Sequence, residues 1–522
     1  MHPSTGVGVQ AGTKTCRVCG CDVSHSERVK DKRGNYYCKP CYARGLQGHD
    51  KPQPAQPKAP SPEAVKAAPA SKAVVSPPPS IRPRITCPHC WHHFPTDQIL
   101  WIAQHVDLLG DPVLGREALA RFLPTRFTVG GEALDARGMA CQQLACPRCH
   151  LVIPRCLVEA EPVLLSIIGV PASGKSYFLT SLTWELRRQL PLQFALTFND
   201  ADTVCNVNLN DYEETLFLQP DPDKLIAIRK TDVAGTELYD EVMLGQQRIM
   251  LPKPYLFNLR PGASHPNAPA ADKVGRVLCL YDNAGEHFRP GEDSASSPVT
   301  QHLARSKVLM FLYDPTKDPR FRERCRPFSS DPQLAGTART ERQETILTEA
   351  AMRVRRYAAL PPNKKHDRPL IVIVPKSDVW DRLLDGVDLS KEPVVPDAVQ
   401  PGIAAVDVRR IEEVSRKLRQ LLLQLTPEFV AAAEDFCEHV VYVPVNVFAR
   451  SPVAQPDGFL YTRPADVRPR WATVPVLYMF AKWSTGMVAD VAAVQRAGRA
   501  PVVAGQNGSG KHTVGTAPPS AP

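Results

Sequence analysis

No run of about 18 consecutive apolar residues occurs in the 522-residue sequence, so no segment is expected to cross a membrane. The opening MHPSTGVGVQ lacks both a charged start and an apolar core, which argues against a secretory signal and for a cytoplasmic protein. No unit recurs at a fixed period, so nothing points to a repeat architecture. Aromatic residues make up only 7% of the chain, and no Lys/Arg stripe is interleaved with them. The net charge of +9 therefore gives little support to nucleic acid as a partner. Residues 1–160 hold twenty Lys+Arg against twelve Asp+Glu, so nearly all of the excess precedes the central region. A basic N-terminal part can meet nucleic acid or an acidic partner, but a solvated surface is the more ordinary outcome.

What is present in quantity is cysteine and proline. Most of the fifteen cysteines lie in Cys-x-x-Cys pairs, and with no export signal this favours zinc over disulfides. Cys16 and Cys19 are followed after 18 residues by Cys38 and Cys41, a spacing that brings four thiolates into one tetrahedral zinc site. Zinc there replaces a core that so short a segment cannot build. Cys21 is a spare thiol that can stand in as a ligand. A second set, Cys87, Cys90, Cys146 and Cys149, has the Cys-Pro-x-Cys form twice, separated by 55 residues. It reads as a second zinc site with an insertion; two unrelated turns are the alternative. Cys141 and Cys156 flank the second knuckle as ligands or ordinary buried thiols, and His89, His92, His93 and His150 are expected beside the metal or on the surface. The first module resembles treble-clef or LIM-like fingers, and the second a zinc ribbon. Of the 52 prolines, many fall in 50–83 (KPQPAQPKAP SPEAVKAAPA), a segment too poor in large apolar residues to offset the entropy of ordering it.

From Glu161 onward the pattern changes to buried-strand runs alternating with amphipathic helices. Strands are expected at 163–169, 255–259, 276–282, 307–314, 369–378 and 439–447, and helices at 176–190, 298–305, 338–358, 405–426 and 471–485. Continuous Val/Ile/Leu strands of this kind predict an α/β fold with a mostly parallel sheet flanked by helices. Gly169-Val-Pro-Ala-Ser173-Gly174-Lys175-Ser176 matches Gly-x4-Gly-Lys-Ser in full, after a strand and at the start of a helix. Its backbone N–H groups can wrap a polyphosphate, Lys175 can reach the β- and γ-phosphates, and Ser176 can ligate Mg2+. Tyr177, directly after the loop, is counted with the nucleotide-binding residues. Asp282, ending an apolar strand, can hold the same magnesium through water, and Gly285 can offer its N–H to the γ-phosphate. Past the next buried strands, Lys376 and Asp378 can recognise guanine: one carboxylate accepts both the N1–H and N2–H donors, a pair adenine lacks. Bound GTP is therefore the expected nucleotide.

These three elements in order resemble P-loop GTPases of the translation-factor and Ras-like (TRAFAC) class, over 163 to about 485. With the upstream knuckles, ACPRCH and FLYDP, the chain also resembles bacterial double-GTPase-like proteins, which are associated with conflict or defence systems. The resemblance implies a GTP-operated switch, with GTPase activity and zinc modules that recognise a protein partner. It departs from the pattern in three places. Pro375 replaces the Asn or Thr that opens the guanine motif. Glu286 stands where Ras-like enzymes often carry a water-orienting glutamine. Asn446-Val447 replaces Ser-Ala, leaving the Val447 N–H to meet the guanine oxygen. The switch threonine that reaches magnesium is taken as Thr231, with Thr215 and Thr236 as alternatives, inside a 105-residue span that implies an insertion. The expected organisation is a zinc finger (1–49), a linker (50–83), a zinc-ribbon-like module (84–160), the nucleotide domain (161–490) and a disordered tail (491–522). An ATPase on the same scaffold, or a non-catalytic adaptor using nucleotide as a structural ligand, stay open.

Overall fold

The computed structural model describes residues 14–16, 21–24, 27–30, 35–39, 41–42, 81–228, 238–283, 285–288, 301–336, 341–361 and 363–499. The chain divides into two compact units, Met1–Pro77 and Pro78–Pro522. In the first, strands Arg28–Lys30 and Tyr36–Cys38 pair antiparallel, and Cys16 bridges to Tyr36. Cys16 and Val23 are its buried apolar side chains among the described residues.

The second unit is organised by a seven-stranded sheet. In chain order its strands are β1 (Glu161–Ile168), β2 (Leu196–Asp200), β3 (Tyr255–Pro261), β4 (Arg276–Asp282), β5 (Val308–Leu312), β6 (Leu370–Val374) and β7 (Val440–Pro444). They are arranged 2-3-4-1-5-6-7. Strands 4-1-5-6-7 run parallel, while β2 and β3 form an antiparallel edge. The parallel strands are apolar throughout because both faces are covered. On β1, Val163, Leu165 and Ile167 pack into the main helical core, whereas Leu164 turns to a second core shared with the Cys87–Cys149 module. On β4 the same alternation sends Leu278 and Leu280 one way and Val277, Cys279 and Tyr281 the other.

Helix α1 (Lys175–Phe194) follows β1 and buries Phe178, Leu182, Leu186, Leu190 and Phe194, every fourth residue, against the sheet. Helices α2 (Gln343–Tyr357), α3 (Val408–Leu425), α4 (Pro427–Phe436) and α5 (Val474–Trp483) contribute the rest of that core. Asp407 caps α3 by accepting from the Arg410 N–H. The span before β4 holds an insertion: a helix at Val207–Phe217 and a hairpin, Tyr239–Leu244 with Gln247–Pro252, whose Val242 and Leu251 join the second core. Two expectations are corrected. The helix expected at 298–305 is a short 3-10 turn, Gln301–Arg305, with 298–300 outside the described residues. The segment from 491, expected as tail, begins with a helix at Val491–Arg499.

Candidate phosphate-binding and cysteine sites

The carboxyl ends of β1, β4, β6 and β7 meet around a cavity of about 340 Å³. Open parallel sheets collect ligands at this edge, where the strand-end loops converge. Gly169 leaves β1 so close to β5 that a Cβ there would sit 2.9 Å from the Leu312 carbonyl oxygen. Ala172 (φ 55°) and Gly174 (φ 97°) then turn the loop through left-handed backbone into the first turn of α1. That turn opens α1 beside the cavity, whose lining includes Pro171–Phe178, and a helix start in such a place is suited to an anion. The Lys175 ammonium is buried and donates to the Gly169 and Val170 carbonyls at 3.1 and 3.2 Å. The buried Ser173 hydroxyl has no hydrogen-bond partner among the described residues.

The Ser176 hydroxyl donates to the Asp282 carboxylate at 3.3 Å, so the two oxygens that one magnesium ion needs as neighbours are adjacent. Burial pushes the Asp282 carboxyl up from the ordinary carboxylate range, opposed by the Lys175 charge and the Ser176 hydrogen bond. Gly285 packs on the Gly169–Ser176 loop itself: a Cβ would lie 2.5 Å from the Gly169 oxygen and 2.6 Å from the Pro171 nitrogen. Only glycine fits that approach. Asn283, which sequence reasoning passed over, ties the same segment to β1 through its side-chain amide and the Ile167 carbonyl (2.8 Å).

The far end of the cavity is different. Lys376, in left-handed conformation (φ 59°), lines it, but its ammonium donates to Asp314 (2.7 Å), Thr316 (2.9 Å) and Gln333 (2.7 Å). Asp314 is fully buried at the end of β5 and also accepts from the Thr316 backbone, and its own backbone pairs with the Gln343 side chain. Its signal in the sequence was the Asp-Pro start of a short helix, a capping pattern that gives no hint of the lysine. Asp378 is half-buried, is not among the cavity-lining residues, and burial together with nearby Asp331 lifts its carboxyl to about 6. Asn446 and Val447 line the cavity, with the Asn446 amide donating to the Phe448 carbonyl at 2.7 Å. Beyond them Phe448, Phe459 and Tyr461 form an aromatic wall that the sequence reading did not anticipate. Thr215 donates to Asp211 inside its own helix and does not line the cavity. Thr231, Thr236 and the Glu286 side chain lie outside the described residues.

The second cysteine group is assembled in full, and three cysteines of the first converge. Cys87, Cys90, Cys146 and Cys149 are all buried and their sulfurs lie within 4.8 Å of one another. The Cys87–Cys149 and Cys90–Cys146 sulfurs are 3.7 and 3.6 Å apart, against about 3.8 Å for tetrahedral Zn2+ with bonds near 2.3 Å. The knuckles repeat one another: His89 and Arg148 each donate a backbone N–H to the preceding cysteine sulfur at 3.4 Å. Trp91 (φ 56°) and His150 (φ 59°) turn each knuckle through left-handed backbone. Cys16, Cys38 and Cys41 also converge, and Cys19 lies outside the described residues. Cys141 is buried apart from the four, its thiol directed at the Met139 carbonyl, and His150 pairs with buried Asp111 at 2.8 Å. Among the described residues no helix is long and apolar enough to cross a membrane.

No protein-family model matches the chain. A curated relative from Mycolicibacterium smegmatis, named "Putative ESX-1 scaffolding and assembly protein SaeC", is 24% identical over 241 residues. The match takes in 46% of this chain and spans about half, 52%, of that relative's length. Among solved structures, that of sup35 complexed with GDP aligns with 57% of this chain and 40% of its own at 12% identity, with a TM-score of 0.19. A likeness that slight leaves the chain similar in part to a GDP-bound protein without assigning its fold. The strands and cysteine groups themselves describe a mixed α/β chain with a mostly parallel central sheet and two groups of cysteines suited to zinc.

Proposed function

We propose that this chain is a magnesium-dependent guanine-nucleotide switch of the P-loop GTPase class, whose cysteine modules hold zinc and receive a protein partner. The observation that carries the reading is the packing of Gly285 onto the Gly169–Pro171 backbone, beside the Ser176–Asp282 pair. In this reading the loop amides and the unpaired Ser173 hydroxyl bind phosphate oxygens, and Lys175 supplies positive charge. Ser176 and Asp282 hold Mg2+, which would neutralise charge between the β- and γ-phosphates. Thr231 completes that set. The Gly285 N–H reads the γ-phosphate, and Glu286 or a partner orients water for slow hydrolysis. Lys376, Asn446 and Val447 line the guanine end, and Asp378, two residues past Lys376, would accept the N1–H and N2–H of the base once turned into the cavity. Cys16, Cys19, Cys38 and Cys41 hold one zinc; Cys87, Cys90, Cys146 and Cys149 hold the other. A cytoplasmic setting goes with the reading, since it keeps these thiols reduced.

Equilibrium binding of labelled GTP and ATP with Mg2+ tests it. GTP should bind more tightly, and Lys175→Ala should weaken it by roughly a hundredfold. Equal affinity of the wild-type and Lys175→Ala chains for every nucleotide rejects the proposal. A second reading has a specific observation behind it: Lys376 is engaged by three protein acceptors and Asp378 is off the cavity wall, which favours weak base discrimination. Indistinguishable GTP and ATP affinities select that reading. The relative's printed role in scaffolding and assembly favours an adaptor that binds nucleotide without turnover, which single-turnover hydrolysis separates from a switch.

A further inference from the structure

Consecutive strand residues point to opposite faces of a sheet, and at the end of β4 this places two different contacts side by side. Asp282 turns to Ser176 and the phosphate loop. Tyr281, fully buried, turns to the second cysteine module. Its hydroxyl accepts from the Trp91 indole N–H at 3.3 Å and donates in a short bond to the Pro88 carbonyl, inside the Cys87–Cys90 knuckle. The His302 ring, in the Gln301–Arg305 turn, completes the cluster, 4.5 Å from Tyr281 and 5.7 Å from Trp91. Trp91 directly follows Cys90, and its backbone N–H closes the knuckle on the Cys87 carbonyl at 3.1 Å. The indole can hold its place only while the knuckle holds its turn. The four sulfurs thus stand one side chain away from the backbone that presents Asp282.

We propose that Trp91 is a positioning residue: zinc at Cys87, Cys90, Cys146 and Cys149 fixes the indole, the indole fixes Tyr281 and His302, and Tyr281 fixes the backbone of Asp282. Zinc occupancy and the magnesium affinity of the nucleotide site are thereby coupled. The functional half of this inference rests on the nucleotide reading above; the structural half does not.

The full chain is examined as wild type, Trp91→Ala, Trp91→Phe and Tyr281→Phe, with zinc counted per chain. Magnesium is titrated against binding of a fluorescent GTP analogue, and amide hydrogen exchange is followed over Arg276–Asp282 and Gln301–Arg305. Trp91→Ala should raise the magnesium concentration for half-saturation about tenfold, the scale on which outer-shell partners act on a metal, without changing magnesium-free nucleotide binding. Exchange in both segments should quicken. Trp91→Phe, which keeps the ring and loses the N–H, should recover most of the affinity. Unchanged half-saturation and exchange in Trp91→Ala overturn the proposal, as does an equal loss of magnesium-free binding, which marks general damage. If Trp91→Ala loses its zinc, Tyr281→Phe decides: a shift of roughly threefold supports the coupling and no shift overturns it. If the wild-type chain binds no nucleotide, the nucleotide reading fails by itself. Chelating zinc from the wild type must then still quicken exchange over Arg276–Asp282, and unaltered exchange overturns the coupling.

Discussion

The two ends of the cavity are built in different ways. At the phosphate end a contiguous loop, Gly169–Ser176, meets one other segment, Asp282–Gly285, and close backbone packing fixes the fit. At the far end Lys376, Asp314, Thr316, Gln333 and the aromatic wall arrive from four separate stretches of chain. A contiguous motif carries its own geometry, because its glycines and its helix start dictate where its amides point. A site gathered from distant loops depends on pairings that no local spacing encodes. The phosphate end is therefore expected to tolerate little backbone change, and the far end to respond mainly through charge.

The largest effect expected from this contrast comes from Lys376→Met. It leaves the carboxylate of fully buried Asp314 with its hydroxyl and backbone partners but without its counter-charge. Removing one partner of a buried pair costs about 3–5 kcal/mol, so denaturant unfolding should show a loss of that order. A lysine whose sole task is to touch a base would change binding and leave stability alone; an unaltered unfolding midpoint would erase the distinction between the two ends.

Asp378 sharpens the contrast through pH. Its folded carboxyl stands near 6 against an ordinary 3.8, chiefly because burial disfavours the charge. The folded state therefore holds the proton more tightly than the unfolded one. The resulting stability is fully present below pH 3.8 and is lost as pH rises through 6, a change of roughly 3 kcal/mol at most. Asp378→Asn should abolish this dependence and raise stability at pH 7. In wild type, GTP affinity should fall about tenfold per pH unit below 6, because a protonated carboxyl cannot accept both guanine donors. Flat affinity from pH 5 to 7 would remove Asp378 from base recognition.

Gly285→Ala probes the phosphate end. The added methyl has no space between the Gly169 oxygen and the Pro171 nitrogen, and both are backbone atoms that cannot rotate away. Overpacking of this kind costs about 1–3 kcal/mol, measurable by thermal unfolding, and should weaken nucleotide binding at the same time. Full stability together with full affinity would mean that the close approach has no functional weight.

The same contrast explains what could be read from the sequence. The strand runs and the Gly169–Ser176 turn between β1 and α1 were legible because continuous Val/Ile/Leu segments and a Gly-x4-Gly-Lys-Ser turn are local patterns. The four sulfurs of the second cysteine group were legible by spacing, despite the 55 intervening residues. Asp314 was not, because its role appears only when β5 and β6 lie side by side. Nor was Tyr281: an apolar strand with a terminal tyrosine does not announce that its hydroxyl enters a cysteine knuckle 190 residues earlier in the chain. The pairing of β3 against β4 in antiparallel sense was also hidden, since an isolated run such as YLFNL has no direction.

One side chain belongs to both ends, and it gives the smallest and most discriminating test. Tyr177 follows Ser176 in α1, yet its ring packs edge-on against Phe448 at 5.3 Å in the aromatic wall. Its hydroxyl accepts from the backbone N–H of Ile228 at 2.9 Å, tying the 225–228 stretch to the phosphate helix. Tyr177→Phe keeps the ring and leaves that partly exposed N–H to water, a loss of about 1 kcal/mol in stability. If the ends act separately, GTP and ATP affinities should move together and only slightly. A selective fall in GTP affinity would mean that helix α1 carries base recognition as well as phosphate binding, because a hydroxyl 51 residues from its partner would then be setting the shape of the far wall.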